Sequence, residues 1–296
     1  MQNNDVPVKI KNIPIRHINT VQNKPDFSKS FNIRSVTDLL AGKDMVQELH
    51  RHDFFYILAL KKGSGNHEID FSSYKVSDHS IFLMRPGQVH QLKLKVGSTG
   101  YLMEFNTDFF YPHDKLSKQL LRKVSNENLY KLDSNEFKKL LTLLTSVSQE
   151  NTNQKERYQE IIKANLSIFF IELVRNCQNH KSPANSVNLY THERLEEFLE
   201  LLEIHISNHK QASQYAELLN LSTFQLNAIT RATLGKTCSE LINEYIILES
   251  KRYLLATSNQ ITQIAYHLGY EDVSYFIRFF KKHTGYSPEA FRNNFK

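Results

Sequence analysis

The sequence of 296 residues is long enough for about two domains, and its 40% hydrophobic residues are sufficient for their cores. Its low content of 9 glycines and 7 prolines argues against long disordered tracts. Its two cysteines, Cys177 and Cys238, lie far apart and lack CxxC spacing. The sequence therefore predicts neither a cysteine zinc cluster nor a disulfide framework, but two thiols in a reducing compartment. The first residues lack a basic stretch followed by an apolar core, so we expect no secretory signal. No apolar run reaches the ~20 residues of a membrane span. We expect a soluble, cytoplasmic protein.

The positive charge is unevenly distributed along the chain. A net charge of +6 fits a polyanionic partner. Residues 188–296, however, carry 11 Lys and Arg against 12 Asp and Glu. Within that region, residues 250–296 carry 7 basic and 3 acidic side chains. The cationic surface of the C-terminal part is therefore expected near its end, and the overall charge alone does not identify a DNA-binding domain.

Short apolar runs between residues 33 and 105 are separated by turn residues. The runs occupy residues 54–60, 67–71, 80–84 and 92–96, and glycine or proline lies in the segments 62–66 and 85–87. Aromatic and β-branched runs of this length are typical of strands in a small barrel or sandwich. We place this barrel at about residues 30–106.

After residue 107 the hydrophobic pattern becomes helical, at about residues 116–177. Asp133 and Glu136 have the spacing of a capping box, and apolar residues follow at intervals of three and four, namely Phe137, Leu140, Leu141, Leu144 and Val147. A second helix, predicted over 157–177, has more apolar residues than one face requires. These either pack onto the barrel or form a dimer seam, and both interpretations remain open.

Residues 179–188 are polar, contain one proline and have no periodicity, which is typical of a linker. We place one domain at 1–180, the linker at 181–189 and a second domain at 190–296. Every segment of the second domain has a helical pattern, with helices predicted over 193–205, 213–220, 223–234, 238–256, 261–268 and 273–283, and a short one after Pro288.

The helical domain contains an internal repeat with a spacing of 49 or 50 residues. Ala216 and Ala265 are small enough for two helices to approach closely, and four residues later Asn220 and Gly269 tolerate a left-handed turn. Gly235 and Gly285 then end the longer helices. Each copy is a short helix, a tight turn and a longer helix, so we predict two helix-turn-helix units.

In the second unit the outward-facing residues of the longer helix are polar or cationic. Asp272 is placed to cap the helix, and the apolar stripe of 273–280 leaves Ser274, Tyr275, Arg278, Lys281 and Lys282 facing outward. Arg, Ser or Tyr near the N-terminus of such a helix can read base edges, and lysines further along meet phosphates. The alternative interpretation is a solvated charged face, which the paired units make less favourable.

In the first unit the helix over 223–234 is predicted to direct five side chains outward, namely Thr223, Phe224, Gln225, Asn227 and Arg231. Glutamine and asparagine suit bidentate contacts with adenine. Because this helix has a single cation, we expect it to contribute base discrimination more than electrostatic affinity.

These units resemble those of the AraC family of bacterial transcription regulators over about residues 190–296. The matching residues are 264–270 (IAYHLGY), 274–276 (SYF), 278–282 (RFFKK), 285–288 (GYSP) and 291–292 (FR). The resemblance implies two helix-turn-helix units joined by a long helix, recognition helices in successive major grooves, and recruitment of RNA polymerase. The sequence departs from the family pattern at Ala228, Thr230 and Ile246, which concern the first unit and the connecting helix.

Three histidines lie near predicted strands of the first domain. His50 and His52 alternate along one strand and therefore point the same way, and His90 on another strand could complete a metal triad. Residues 30–106 resemble the cupin-type ligand-binding domain of many AraC-type regulators. Metal-binding cupins place a carboxylate shortly after the histidine pair, where this chain has Tyr56.

The histidines therefore have two interpretations. Either they hold zinc, nickel or iron(II), or they line the pocket of an organic effector together with Tyr56 and Glu104. We favour the effector pocket and predict no metal and no cofactor. His113 and the remaining histidines are interpreted as surface residues.

Together these features predict a two-domain α+β protein. Its N-terminal domain is a cupin-like β-barrel with flanking helices that binds an effector and dimerises, and its C-terminal domain is an all-α tandem helix-turn-helix. The predicted function is a sequence-specific DNA-binding transcription regulator, an activator that responds to a small molecule and forms a homodimer.

The leading alternative is a cupin-type metal-dependent enzyme with an accessory DNA-binding tail. We predict that the chain is not an enzyme, because it has no catalytic constellation and lacks the cupin carboxylate. In a third interpretation the helical tail binds protein, but this leaves Arg278 and Lys282 without a shared role.

Overall fold

A computed structural model of the chain describes residues 14–18, 30–106, 109–110, 115–179 and 189–295. These residues form two compact units: the N-terminal unit within residues 14–179 and the C-terminal unit within residues 189–295. Except for Leu189, the predicted linker lies outside the described residues, as does His113. No helix in the described ranges is long and apolar enough to cross a membrane.

The N-terminal unit contains two five-stranded sheets. The first, sheet A, has the strand order β1 (Ile15–Arg16), β3 (Met45–His52), β8 (Val89–Leu94), β5 (Gly65–Ile69) and β6 (Ser72–Val76). The second, sheet B, has the order β10 (Leu129–Lys131), β7 (Ser80–Met84), β4 (Phe55–Lys62), β9 (Thr99–Phe105) and β2 (Phe31–Ser35). A short helix, α1 (Val36–Leu40), follows β2. The short β1 pairs with β3 in parallel, and the other paired strands are antiparallel.

Strand β4 is buried on both faces, which explains its continuous apolar sequence. Tyr56, Leu58 and Leu60 point into a core between the two sheets. The alternating residues Phe55 and Ile57 point into a second core, on the other side of sheet B, that includes helical residues. A strand must alternate its side chains between faces, so β4 contributes to both cores.

Three predicted strands differ in extent from the structure. The runs 54–60 and 92–96 correspond to strands that span Phe55–Lys62 and Val89–Leu94. Residues 67–71 were expected to form a single strand, but the strand ends at Ile69. Asp70 and Phe71 have φ values of 45° and 66° and connect β5 to β6 as a two-residue hairpin turn. A turn with two positive φ values matches the right-handed twist of the strands it joins. Because Phe71 is aromatic, the sequence pattern extended the predicted strand through this turn.

Three helices follow the strands: α2 (Lys115–Ser125), α3 (Ser134–Asn153) and α4 (Tyr158–Asn179). The predicted capping box of α3 is present, because Asp133 accepts from the backbone N–H of Glu136 and Glu136 accepts from that of Asp133. Buried residues of α4 join the core against sheet B, as Leu166 and Phe170 do.

A second face of α4 remains apolar and exposed. Ile161, Ile168 and Ile171 are 40%, 49% and 39% exposed, respectively. Packing onto the sheets therefore accounts for only part of the apolar excess of this helix.

The C-terminal unit consists of seven helices among the residues described: α5 (Leu189–His205), α6 (Ala212–Leu218), α7 (Thr223–Leu234), α8 (Cys238–Ala256), α9 (Ile261–His267), α10 (Val273–Thr284) and α11 (Pro288–Phe295). The predicted turn residues Asn220 and Gly269 have φ values of 53° and 74°. Gly235 and Gly285 end α7 and α10 with φ values of 71° and 82°. The predicted pair of helix-turn-helix units is therefore present, with α8 between them.

Arg292 connects the last helix, α11, to the end of α8 and to the segment that follows it. Its Nε donates to the carbonyl of Leu254 (2.9 Å) and its Nη2 to that of Asn259 (2.7 Å). Leu254 lies in the last turn of α8, where carbonyl groups lack partners within the helix and favour a cation. Arg292 therefore stabilises the end of the connecting helix. Its guanidinium is used for contacts within the C-terminal unit.

Candidate nucleic-acid interface and histidine cluster

Helix α10 presents the polar face that the sequence predicts. Phe276 and Phe280 are fully buried, whereas Ser274, Tyr275, Arg278, Lys281 and Lys282 are exposed. Asp272 caps the helix by accepting from the backbone N–H of Ser274 at 2.7 Å. One accessible helix therefore carries three cationic side chains. The backbone N–H groups of its first turn also favour anions.

Arg278 has only a weak partner in the unit. Its Nη2 lies 3.8 Å from Oδ2 of Asp272, and the two side chains are 70% and 63% exposed. A surface pair at this distance contributes little to stability. The guanidinium is therefore available for another acceptor, such as a guanine edge or a phosphate.

Two other arginines near the C-terminus already have close partners. Arg252 is buried and bonded to Glu249, and Arg292 holds α8 and α11 together. Lys251 is half-buried, with its Nζ 5.6 Å from the centre of the Phe291 ring. Among the described residues of 250–296, the exposed positive charge is therefore concentrated on α10.

Helix α7 presents a different surface. Thr223, Phe224, Gln225 and Arg231 are exposed, as the sequence predicts. Phe224 is 82% exposed, more than any other large hydrophobic side chain among the described residues. The phenyl ring is therefore accessible at the start of the helix.

The amide of Gln225 already has a local role. Its Oε1 accepts from the backbone N–H of Ser222 at 2.8 Å, and Ser222 Oγ accepts from the backbone N–H of Gln225 at 3.2 Å. This capping box begins α7. A bidentate contact with adenine would require Oε1 to leave the cap.

The expectation that Asn227 faces outward is wrong. Its side chain is half-buried, and its Oδ1 accepts from the backbone N–H of Cys238 at 2.9 Å. Its Nδ2 donates to the carbonyl of Thr223 at 3.0 Å. Asn227 therefore satisfies an unpaired N–H at the start of α8 and joins α7 to the connecting helix. Its amide is not free for base recognition.

In the N-terminal unit, the three predicted histidines converge. His50 and His52 lie on β3, and His90 is the direct partner of His50 on the neighbouring strand β8. His90 Nε2 lies 2.7 Å from His52 Nε2 and 3.0 Å from His50 Nε2. One nitrogen of each ring falls within 4.8 Å of the others. All three side chains are buried.

A fourth histidine, which the sequence analysis assigned to the surface, joins this cluster. His67 on β5 is fully buried, and its Nε2 lies 2.8 Å from His90 Nδ1. Strand β5 lies beside β8, with His67 opposite Leu92 and Ile69 opposite His90. Residues two apart on a strand point to the same face, so the apolar Ile69 is the sequence signal that could have placed His67 facing inward.

The four imidazoles are neutral at physiological pH. Burial lowers the pKa of His50 to about 4 and those of His52 and His67 to about 3. Burial also lowers the pKa of His90 well below its ordinary value. Neutral imidazoles retain a nitrogen lone pair each, so the cluster can accept a proton donor or bind a metal ion.

Tyr56 lies against the histidines, and Glu104 does not join them. The Tyr56 ring stacks on His52 with ring centres 5.3 Å apart, and its buried hydroxyl has no hydrogen-bond partner among the described residues. Oε2 of Glu104 instead accepts from Arg34 Nη2 at 3.0 Å and Asn32 Nδ2 at 3.2 Å. Burial raises the pKa of Glu104, and Arg34 opposes this shift.

Both parts of the chain match known families. Residues 42–162 match the family described as an AraC-like ligand binding domain, and residues 215–294 match the family described as a helix-turn-helix domain.

Relatives match over most of their length. The HTH-type transcriptional regulator YfiF of Bacillus subtilis is 26% identical over 84% of this chain and 79% of its own. The HTH-type transcriptional activator RhaS of Escherichia fergusonii is 23% identical over 82% of this chain and 86% of its own. Among solved structures, ToxT of Vibrio cholerae is 18% identical with a TM-score of 0.42, covering 90% of this chain and 98% of that chain.

The family resemblance and the two-domain fold expected from the sequence are confirmed by these matches. The alternative of a cupin-type enzyme receives no support from relatives that are transcription regulators. The chain belongs to the AraC family of helix-turn-helix transcription regulators.

Proposed function

We propose that this regulator activates transcription by placing α7 and α10 in successive major grooves of a specific DNA site. The observation that carries the proposal is the pair of helix-turn-helix units, each with an exposed face on its longer helix. A major groove admits one α-helix, so two such helices in one unit can read two neighbouring grooves.

The two helices have different roles in DNA recognition. On α10, Arg278 with Ser274 and Tyr275 reads base edges, and Lys281 and Lys282 contact phosphates. On α7, Thr223, Phe224 and Arg231 contribute base discrimination, for which Phe224 can contact a thymine methyl group. Gln225 participates only if its amide leaves the helix cap.

The N-terminal unit is proposed to sense a small molecule at His50, His52, Tyr56 and His90. Glu104 takes part only if its carboxylate leaves Arg34 and Asn32. Support comes from the polar atoms enclosed there: the Tyr56 hydroxyl and Nδ1 of His52 are buried without partners among the described residues. Such atoms cost free energy until a ligand satisfies them. A ligand that binds one conformation of the regulator more tightly than another shifts its DNA affinity.

A homodimer is the proposed functional state. The exposed isoleucines of α4, Ile161, Ile168 and Ile171, lie on one helical face, which suits a self-complementary seam. Activation would proceed through recruitment of RNA polymerase in the cytoplasm, and relatives named as activators support this direction. Ile168→Glu should dissociate the dimer in sedimentation experiments while α4 stays folded.

A selection experiment tests DNA recognition. Full-length protein is used to enrich binding sites from a random DNA pool, and the affinity for the enriched site is compared with that for a shuffled site at physiological salt. We expect at least about a thousandfold preference, as for other specific regulators. Equal affinity for both DNAs, with no enrichment, would contradict the proposed function.

A further inference from the structure

We propose that His50, His52 and His90 bind a divalent transition-metal ion through their Nε2 atoms. The site lies on the inner face of sheet A, with two ligands on β3 and one on β8. This inference names a ligand for the sensing site, and its regulatory meaning rests on the function proposed above.

His50 is oriented as a metal ligand. Its Nδ1 lies 2.6 Å from the backbone carbonyl of Glu48. A carbonyl can only accept, so Nδ1 carries the proton and Nε2 of the neutral ring retains its lone pair. A histidine ligand that donates its other ring N–H to a backbone carbonyl is the usual arrangement around protein-bound metals.

His90 cannot satisfy both of its neighbours without an ion. Its Nε2 is close to two other Nε2 atoms, at 2.7 Å and 3.0 Å. One ring nitrogen offers either one proton or one lone pair, so it can make only one of these hydrogen bonds. Two nitrogens bound to the same ion at about 2.1 Å are separated by about 3.0–3.4 Å. The His50–His90 pair already has this separation, and the His52–His90 pair, at 2.7 Å, has to open by about 0.3 Å. An ion shared by the three lone pairs then removes the conflict.

His67 supplies the outer contact for His90. With Nε2 of His90 given to an ion, Nδ1 of His90 carries the proton and donates to Nε2 of His67, 2.8 Å away. His50 and His90 then each have an acceptor that fixes the ring orientation. Outer contacts of this kind contribute to metal affinity without touching the ion, so His67 is a positioning residue.

The donor set determines the class of ion. Imidazole nitrogens favour zinc, nickel, copper, cobalt and iron(II), whereas magnesium and calcium prefer oxygen. The nearby carboxylate of Glu104 is engaged by Arg34 and Asn32. Three protein ligands leave room for water or a donor atom of a small molecule, and the unpartnered hydroxyl of Tyr56 lies beside the cluster.

Cobalt(II) provides a spectroscopic test. The full-length protein, stripped with a chelator, is titrated with cobalt(II), and bound metal is also measured by elemental analysis after zinc loading. We expect one ion per chain and visible absorption bands that saturate at one equivalent. His90→Gln should abolish both signals. His67→Gln should weaken binding by about 10-fold to 100-fold. His283→Gln, which removes an exposed histidine of α10, should bind as the unaltered protein does.

Loss of metal binding by His90→Gln would also follow if that variant misfolded. The Tm of the unaltered protein, measured with and without zinc, therefore supplies a second test. Saturating zinc should raise its Tm, because an ion that binds only the folded state stabilises it. Absence of bound metal, or equal binding by His90→Gln, would overturn the proposal. DNA binding measured on the same samples separates the two proposals. Specific DNA binding without metal overturns only the metal site, and bound metal without specific DNA binding overturns only the proposed function.

Discussion

The ammonium group of Lys210 donates to the backbone carbonyl of Gly269 at 3.0 Å. It also donates to the carbonyl of Ser207 at 3.0 Å and lies 5.0 Å from the centre of the Tyr270 ring. Burial lowers the pKa of Lys210. The contact joins the segment before α6 to the turn between α9 and α10, so one side chain connects the two helix-turn-helix units.

Gly269→Ala should therefore damage the C-terminal unit severely. Residue 269 has a φ of 74°, and a Cβ there would lie 1.6 Å from the Ser207 carbonyl oxygen. We expect a loss of about 1–2 kcal/mol from left-handed strain and about 1–3 kcal/mol from displaced backbone. Chemical denaturation of the full-length protein, followed by helical circular dichroism, measures this loss.

Gly285→Ala is the matched control for this substitution. Its φ is 82°, but nothing lies within 4 Å of the added Cβ. It should lose only the strain of about 1–2 kcal/mol. If both variants were equally stable, the close approach of the turn to Ser207 would be unimportant.

Arg278→Ala and Lys282→Ala should weaken DNA binding in different ways. Removing a bidentate arginine costs about 1–3 kcal/mol at the base pair it reads and relaxes preference there. Removing a lysine that contacts phosphate weakens all sequences alike and reduces the salt slope by about one. Titrations of matched and mismatched DNA at several salt concentrations distinguish these effects. Identical behaviour of the two variants would refute the division of roles on α10.

Phe224→Ala should reduce specific DNA affinity without reducing stability. The ring is 82% exposed in the free protein, so folding does not depend on it, but burial against a thymine methyl group would contribute about 1 kcal/mol, or about fivefold in Kd. Phe224→Leu keeps an apolar side chain and should retain most of the affinity. An unchanged Kd for Phe224→Ala would exclude α7 from apolar recognition.

Cys238 should resist thiol reagents and should destabilise the fold at high pH. Its side chain is fully buried, and burial raises the pKa of the thiol to about 12. In a Cys177→Ser background, Cys238 should remain unlabelled at pH 8 and become fully labelled in denaturant. Rapid labelling of the native protein would show that the N-terminal end of α8 is accessible.

The pH dependence follows from the raised pKa of this thiol. In the unfolded chain the thiol ionises near its ordinary pKa, whereas in the folded chain it stays protonated up to about 12. The unfolded state therefore binds fewer protons above pH 9, and stability falls as pH rises from about 9 to 12. Cys238→Ala should reduce this slope by up to about 1.4 kcal/mol per pH unit.

Much of the C-terminal unit could be predicted because local signals mark its helix ends. The bounds predicted for α7 and α8 agree with the structure. Ser222 and Thr237 cap these helices with boxes completed by Gln225 and Glu240, and Gly235 ends α7 in a left-handed conformation. Each signal lies within a few residues of the boundary it marks.

The features that sequence analysis missed depend on contacts between distant segments. Asn227 has an outward position on an isolated helix, but the start of α8, eleven residues later, captures its amide. His67 reaches His90 only because β5 pairs with β8.

Methylation interference at guanine N7 is the most direct test of recognition by two helix-turn-helix units, because N7 faces the major groove. On the selected DNA site, methylation should interfere in two segments on one face of the duplex, about 10 base pairs apart. Arg278→Ala should abolish interference in one segment and leave it in the other. A single segment, or binding that is insensitive to methylation throughout the site, would contradict recognition by both helices.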